Sequence, residues 1–306
     1  MNARVFCFRK IEPVKKMGFL SLSMYLFFAC LVPAGVSQAQ TSEDSLKLLQ
    51  AEWRTVPCKH GLTARQSQIQ TLFGSVQSVN VVEVKGSKRH KFHLGYVGHG
   101  MQTSHLARYF DADAAINGTF YDMKYFNSVC FLKKDGKVRD TTVTEEMYRG
   151  NGALKIRHGR LAIIPWDKEK ERSCMSAHQE DIMTAGPLLL LDGSFYKSSI
   201  YGGGFGNSRH PRSAVGIKKD GTVVLVAVDG RQKGLAEGMS LTELAYTMKW
   251  LGCKDALNLD GGGSTTLYVK GTNADGGVIN YPCDNKKYDH QGERRVANML
   301  LVGGNY

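Results

Sequence analysis

The 306-residue chain contains no Cys-x-x-Cys, no His-x-His and no His-Glu-x-x-His. The first absence argues against a zinc knuckle or a thioredoxin-type redox motif, and the other two against a zinc-enzyme helix. His90, His93, His99 and His105 cluster only loosely. There is also no long basic run and no interleaved aromatic stripe, so nucleic acid is not an expected partner. Lys133-Lys134, Lys218-Lys219 and Lys286-Lys287 are isolated pairs, and the first two precede Asp-Gly turns. No internal repeat, coiled-coil heptad or linker-like stretch divides the chain beyond its N-terminal segment, which points to one domain.

The N-terminal segment is the chain's one strongly apolar stretch. Arg4, Arg9, Lys10, Lys15 and Lys16 precede the apolar run Phe19–Val32, and Ser37-Gln38-Ala39 has the small-x-small spacing of a signal-peptidase site. The run is short for a membrane span. The expectation is a signal peptide over residues 1–39 and a secreted or periplasmic mature chain over 40–306, without a stable transmembrane span. A retained membrane anchor and lipid attachment at Cys30 are the competing readings. The net charge is +12; with five bases and one acid in the leader, 35 bases and 27 acids remain, or +8. That balance suits an anionic substrate or an envelope surface. Five cysteines follow the leader, Cys58, Cys130, Cys174, Cys253 and Cys283. Export permits disulfides, but sequence leaves both paired and free thiols open.

What is present is glycine, 34 residues, in a composition that is 42% hydrophobic and 22% charged, as in a turn-rich globular protein. Asp135-Gly136, His158-Gly159, Asp192-Gly193 and Asp220-Gly221 each separate two apolar runs and predict hairpins. Strands are expected over Val76–Lys85 and Val296–Val302, and Gly202–Asn207 reads as a loop. A short helical stretch starts near Ser45. The one long helix is Leu241–Leu251: Ser240 and Glu243 have capping-box spacing, Leu241, Leu244, Ala245 and Met248 repeat at helical spacing, and Gly252 suits the exit. The expected fold class is α+β: a single domain with a mixed or largely antiparallel sheet and a few packed helices.

After that helix, Ala256–Leu259 reads as a strand closed by Asp260, and Gly261, Gly262, Gly263 and Ser264 follow. Three glycines leave backbone N–H groups unshielded, a geometry able to form an anion-binding nest. Asp229 similarly ends the apolar run Val223–Val228, and Asn117 ends Ala114–Ile116 before Gly118, Thr119 and Phe120. A carboxylate at the end of a strand buried on both faces faces partial desolvation and a raised pKa, useful for acid or base work. The competing role for each is to accept N–H bonds in its own turn. Arg212 opens a strand after His210-Pro211, Arg231 lies two residues beyond Asp229, and Arg294-Arg295 precede the last strand; guanidinium is the natural bidentate partner of phosphate. Glu243 is explained by its cap position, and Ser264 lacks a nucleophile-elbow context.

The segments Ala115–Tyr121, His210–Ile217, Val228–Arg231, Gly238–Leu244 and Asn258–Ser264 together resemble the phosphodiester glycosidase family, in the same order and across about residues 80 to 306. The resemblance implies hydrolysis of a sugar-1-phosphodiester bearing an N-acetylglucosamine-like sugar. The expected catalytic residues are Asp260 as base or nucleophile and Asp229 as its partner or a sugar ligand. Arg212, Arg231, Asn117, Gly118, Thr119, Phe120, Gly261, Gly262, Gly263 and Ser264 are the expected substrate and phosphate contacts. No cofactor is required by this reading. A metal-dependent phosphodiesterase, with calcium or magnesium on the two aspartates, and a non-catalytic phosphoglycan-binding module are the rivals.

Overall fold

The computed structural model of the protein describes residues 38–306 apart from 59–60, 86–89, 144–148, 177–179, 198–203, 273–274 and 305–306. The expected leader up to Ser37, Cys30 within it, and Gly202 and Gly203 of the expected loop lie outside the described residues. Residues 38–306 form one compact unit.

Three sheets build it, and every strand pair among the described residues is antiparallel. The large sheet runs, in spatial order, Arg54–Val56, Leu62–Leu72, Ser75–Val84, Val223–Val228, Arg212–Lys218, Cys253–Asn258, Leu188–Leu191 and Ser194–Phe195. A second sheet has Lys137–Asp140, Leu132–Lys134, Asp181–Ala185, Gly152–Arg157 and Arg160–Pro165. The third has Leu267–Val269, Ala114–Asn117, Arg295–Val302 and Phe92–Gln102. The α+β expectation therefore holds, with antiparallel pairing throughout.

Strand alternation divides the core into layers. In Val223–Val228, Val223, Leu225 and Ala227 enter the central core, which the large sheet shares with the inner faces of both smaller sheets. Val224, Val226 and Val228 point the other way, into a layer closed by the helices Gln38–Leu49 and Leu241–Trp250. Each buried Val or Leu of this kind contributes about 2 kcal/mol. The helix Thr103–Tyr109 covers the outer face of the four-stranded sheet through Leu106 and Ala107. A central strand buried on both faces cannot show polar alternation, which is why Val223–Val228 reads as an unbroken apolar run.

The predicted hairpins form at all four turns, with Asp135, His158 and Asp192 in the left-handed region beside their glycines. The capping box at Ser240 and Glu243 closes in both directions. Sequence reading missed the long partners of two expected strands. Leu62–Leu72 pairs along Ser75–Val84 through the Phe73-Gly74 turn, and Phe92–Gln102 pairs along Arg295–Val302. Leu62–Leu72 hides its period because Gln66 and Ser67 are buried polar residues: Gln66 Nε2 donates to Asn80 Oδ1 at 2.7 Å and Ser67 Oγ to the Glu52 carbonyl at 2.9 Å. The expected loop before Arg209 holds a one-turn helix, Gly204–Asn207, where the Arg212 guanidinium binds the Phe205 and Ser208 carbonyls. None of the five cysteines among the described residues is in a disulfide. No helix among the described residues is long and apolar enough to cross a membrane.

Candidate active site

The antiparallel order gathers the sequence candidates at one end of the large sheet. Arg212 opens its strand opposite Val228, the residue before Asp229, and Ala214 of the same strand pairs with Asn258, two residues before Asp260. The four-stranded sheet delivers Asn117 to the same seam. Asp260 N donates to the Gly118 carbonyl at 2.9 Å, and Asn117 Nδ2 donates to the Asp260 carbonyl at 2.7 Å. Asn117 Oδ1 accepts from Ser213 Oγ at 2.6 Å and Thr266 N at 3.1 Å. The fully buried Asn117 is thus the clamp between two sheets. Gly118 and Thr119 continue it: Gly118 N donates to the Asn298 carbonyl at 2.9 Å and Thr119 N to Asn298 Oδ1 at 2.6 Å. A Cβ at Gly118 would lie 2.8 Å from Met183 Sδ, so only glycine fits there.

Asp229 and Asp260 differ sharply in their surroundings. Asp229 is buried, and both carboxyl oxygens are filled. Oδ2 accepts from Ser78 Oγ at 2.6 Å and Asn80 Nδ2 at 2.8 Å; Oδ1 accepts from Asn280 Nδ2 at 3.0 Å and Tyr281 N at 2.8 Å. Burial raises its pKa, and these four donors oppose the rise. Tyr288 lies alongside; burial, with the Asp229 charge adding, pushes its phenol up to about 12. Tyr288 stacks on Tyr281 at 4.1 Å, and Tyr281 on His290 at 4.4 Å.

Asp260 is partly exposed as a residue, yet its carboxyl is screened from water enough for burial to raise its pKa. Ser264, the Arg294 charge, the Gly261 N–H and the Arg149 charge all oppose that rise. The buried Ser264 hydroxyl makes no hydrogen bond of good geometry, though it sits close enough to act on both Asp260 and the Tyr121 phenol. Arg294 is held by Asp284, with Nε donating at 2.8 Å and Nη2 also in contact. Arg149 lies between two rings, 5.2 Å from Phe120 and 5.4 Å from Phe205. Phe120, buried, meets Phe205 edge-on at 6.1 Å.

The glycine triplet is packed tightly. Gly262 adopts φ +61° and its N–H donates to the Pro211 carbonyl at 2.9 Å, so that amide is committed to the turn. A Cβ at Gly262 would lie 3.0 Å from Arg231 Nη2, and one at Gly263 would lie 2.5 Å from Asp284 Oδ1 and against Arg294. Glycine here lets two guanidinium groups approach the backbone. Arg212 is placed differently: it is buried, with Nε bound to the Met239 carbonyl at 2.8 Å and Nη2 to Phe205 and Ser208 carbonyls at 2.9 Å each. Burial brings its pKa down to about 10. Arg295 spends Nε and Nη2 on the Gly100 and His99 carbonyls. Glu243 binds Arg209 as well as its cap.

Sequence reasoning left out Arg149, Tyr121, Asp284, Ser78, Asn80 and Asn280, and weighed Arg294 only as a neighbour of the last strand. Asn80 carried a readable signal, a lone amide within the apolar run Val79–Val82. Among the described residues, no cluster of three or more His, Cys, Asp or Glu could hold a metal ion.

The site is thus a strand-end cluster on antiparallel sheets, organised by two acids, a glycine turn and arginines. Residues 110–303 match the family model described as phosphodiester glycosidase, and the chain belongs to that family. It is 38% identical over 99 residues to bovine N-acetylglucosamine-1-phosphodiester alpha-N-acetylglucosaminidase, covering 32% of this chain and 18% of that protein. It is 33% identical over 109 residues to the SPbeta prophage-derived protein YomE of Bacillus subtilis, covering 31% of this chain and 17% of that protein. These matches span under a fifth of the relatives' length. The catalytic domain of the zebrafish N-acetylglucosamine-1-phosphodiester alpha-N-acetylglucosaminidase, auto-inhibited by its pro-peptide, shares the fold: TM-score 0.61 at 21% identity, over 83% of this chain and 88% of that one.

Proposed function

We propose that the protein hydrolyses the glycosidic bond of a sugar-1-phosphodiester, with an N-acetylglucosamine-like sugar and a phosphate monoester as leaving group. The observation that carries this reading is the setting of Asp260: a desolvated carboxyl with Arg294 and Arg149 acting on it, at a turn where glycine admits guanidinium groups to the backbone. A phosphate monoester leaves more readily than an alcohol, so the site needs charge stabilisation more than a strong general acid. Arg294 and Arg149, with Arg231 beside Gly262, supply positive charge for the phosphate. Asp260 serves as base or nucleophile at the anomeric carbon. Phe120 and Phe205 form an aromatic wall for the sugar.

In this reading Asp229 and Arg212 organise the site rather than touch substrate. Four donors already fill the Asp229 oxygens, and three backbone bonds hold Arg212. The same saturation argues against the two aspartates sharing a calcium or magnesium ion, which takes carboxylate oxygens as ligands. The N-terminal leader pattern supports export, so in this reading the mature chain acts in a secreted or periplasmic setting.

The test is release of N-acetylglucosamine from N-acetylglucosamine-1-phospho-methylmannoside in oxygen-18 water. Label in the sugar supports cleavage at the anomeric carbon. Label in the phosphate, with loss of activity to chelator, supports the metal-dependent phosphodiesterase instead. Binding without turnover across a panel of sugar phosphodiesters supports a non-catalytic module.

A further inference from the structure

We propose a second anion site, a cavity of about 410 Å³ that takes a phosphate-bearing small molecule at the end of the large sheet away from Asp260. Val223 lines this cavity, and its strand leads from there to Asp229. Six residue steps of about 3.3 Å, from Val223 to Asp229, separate the cavity from the candidate active site by about 20 Å. The inference does not depend on the hydrolytic reading.

Three observations carry it. The first is charge. Lys85, Lys91 and Arg160 line the cavity with His90 and His158, and no carboxylate is among its described lining residues. Cations gathered around one concavity, with no carboxylate among them, attract an anion into it. The second is His90. Its side chain is 2% exposed, it lines the cavity, and neither ring nitrogen makes a hydrogen bond. Nδ1 lies 3.5 Å from Asp113 Oδ2, and Nε2, on the Gly61 side of the ring, is buried without a hydrogen bond. A buried, unmatched imidazole costs free energy that a bound oxyanion would recover.

The third is that the cavity wall is built rather than draped. The Lys91 stem lies under the His158-Gly159 turn, where a Cβ on Gly159 would come within 2.7 Å of Lys91 Cβ and Cγ. Phe92 N donates to the Gly159 carbonyl at 2.9 Å, and Gly303 N to the Lys91 carbonyl at 2.8 Å. Lysine and arginine with a neutral or charged imidazole match phosphate oxygens. Phe92, Leu161 and Val223 offer an apolar wall for the organic part of the ligand. The volume is in the range of small-molecule sites.

The test is calorimetric titration of the full protein with inorganic phosphate, glucose 6-phosphate and a poly(glycerol phosphate) oligomer. The variants are Lys91→Met/Arg160→Met, both at exposed positions, and Arg294→Met at the other end of the sheet. The expected result is binding of inorganic phosphate that weakens at least about tenfold in the double variant and persists in Arg294→Met. Tighter binding of glucose 6-phosphate than of the oligomer identifies a free ester as ligand; the reverse identifies a polymer-borne phosphate. On saturation, the nitrogen-15 ring resonances of His90 should shift, a readout available in the unmutated protein. Absence of phosphate binding, equal affinity in the double variant, or an unmoved His90 resonance overturns the proposal.

Discussion

Asp229 and Asp260 look alike in the chain: each closes an apolar strand and each is followed by glycine. In three dimensions they are opposites. Asp229 is enclosed by four donors from two distant stretches of chain, so its charge is spent on holding Ser78, Asn80, Asn280 and Tyr281 together. Asp260 is ringed by groups that act on its charge without filling its oxygens: Arg294, Arg149 and a Ser264 hydroxyl free of any well-formed hydrogen bond. A raised pKa marks both, so the shift alone does not separate an organising acid from a reacting one. The count of committed lone pairs does.

The contrast is broken most directly by exchanging each acid for its amide. Asp260→Asn should lower kcat/KM for a sugar-1-phosphodiester by at least about a thousandfold, or about 4 kcal/mol, with the fold intact. Activity near that of the unmodified protein would remove Asp260 from the chemistry. Asp229→Asn should act on stability instead. An amide nitrogen would face two donors, and the loss should be about 3 kcal/mol in denaturant unfolding. A stable Asp229→Asn with abolished turnover would reverse the assignment of the two roles.

Arg294→Met sharpens the comparison through pH. Asp260 must be ionised to act as base or nucleophile, so activity should rise with pH through its raised pKa. Arg294 lowers that pKa; its removal should move the acidic limb to higher pH and reduce kcat about a hundredfold. An unmoved limb would separate Arg294 from Asp260. Stability carries the opposite sign. Because the folded pKa of Asp260 is raised, the native state binds more protons than the unfolded one between the ordinary carboxylate pKa, about 3.9, and the raised value. Its contribution to stability therefore falls as pH rises through that window and stays low above it. Asp260→Asn should melt higher than the unmodified protein at neutral pH, an advantage that vanishes below the window. The smallest expected effect is Gly263→Ala. Its methyl would press on the Arg294–Asp284 pair and should cost about tenfold in kcat/KM, with a change in melting temperature of a few degrees at most.

Much of the fold was legible because its signals are local. The Asp-Gly hairpins and the Ser240–Glu243 box each rest on a few consecutive residues whose conformational preferences need no distant partner. Leu62–Leu72 was not legible, since polar residues buried by remote contacts disguise its strand period, and Phe92–Gln102 was not, since Gly95, Gly98 and Gly100 interrupt its apolar alternation. The site was legible in its acids and glycines, and in Asn117. It was not legible in Arg149 or Asp284, which stand in unremarkable local sequence. Arg212 was ambiguous for a related reason: a guanidinium suited to phosphate is equally suited to backbone carbonyls, and here Nε and Nη2 bind three of them.

The sequence by itself determined the α+β class, the antiparallel hairpins, the family and the strand ends at which polar groups would collect, because periodicity, turn chemistry and motif order are written along the chain. Tertiary structure alone decided which acid has its oxygens filled and which does not, which arginine is held by backbone carbonyls, and that a basic cavity with a buried histidine lies at the far end of the sheet. Those outcomes depend on desolvation and on donors brought from distant segments, and neither quantity exists until the sheets have closed on one another.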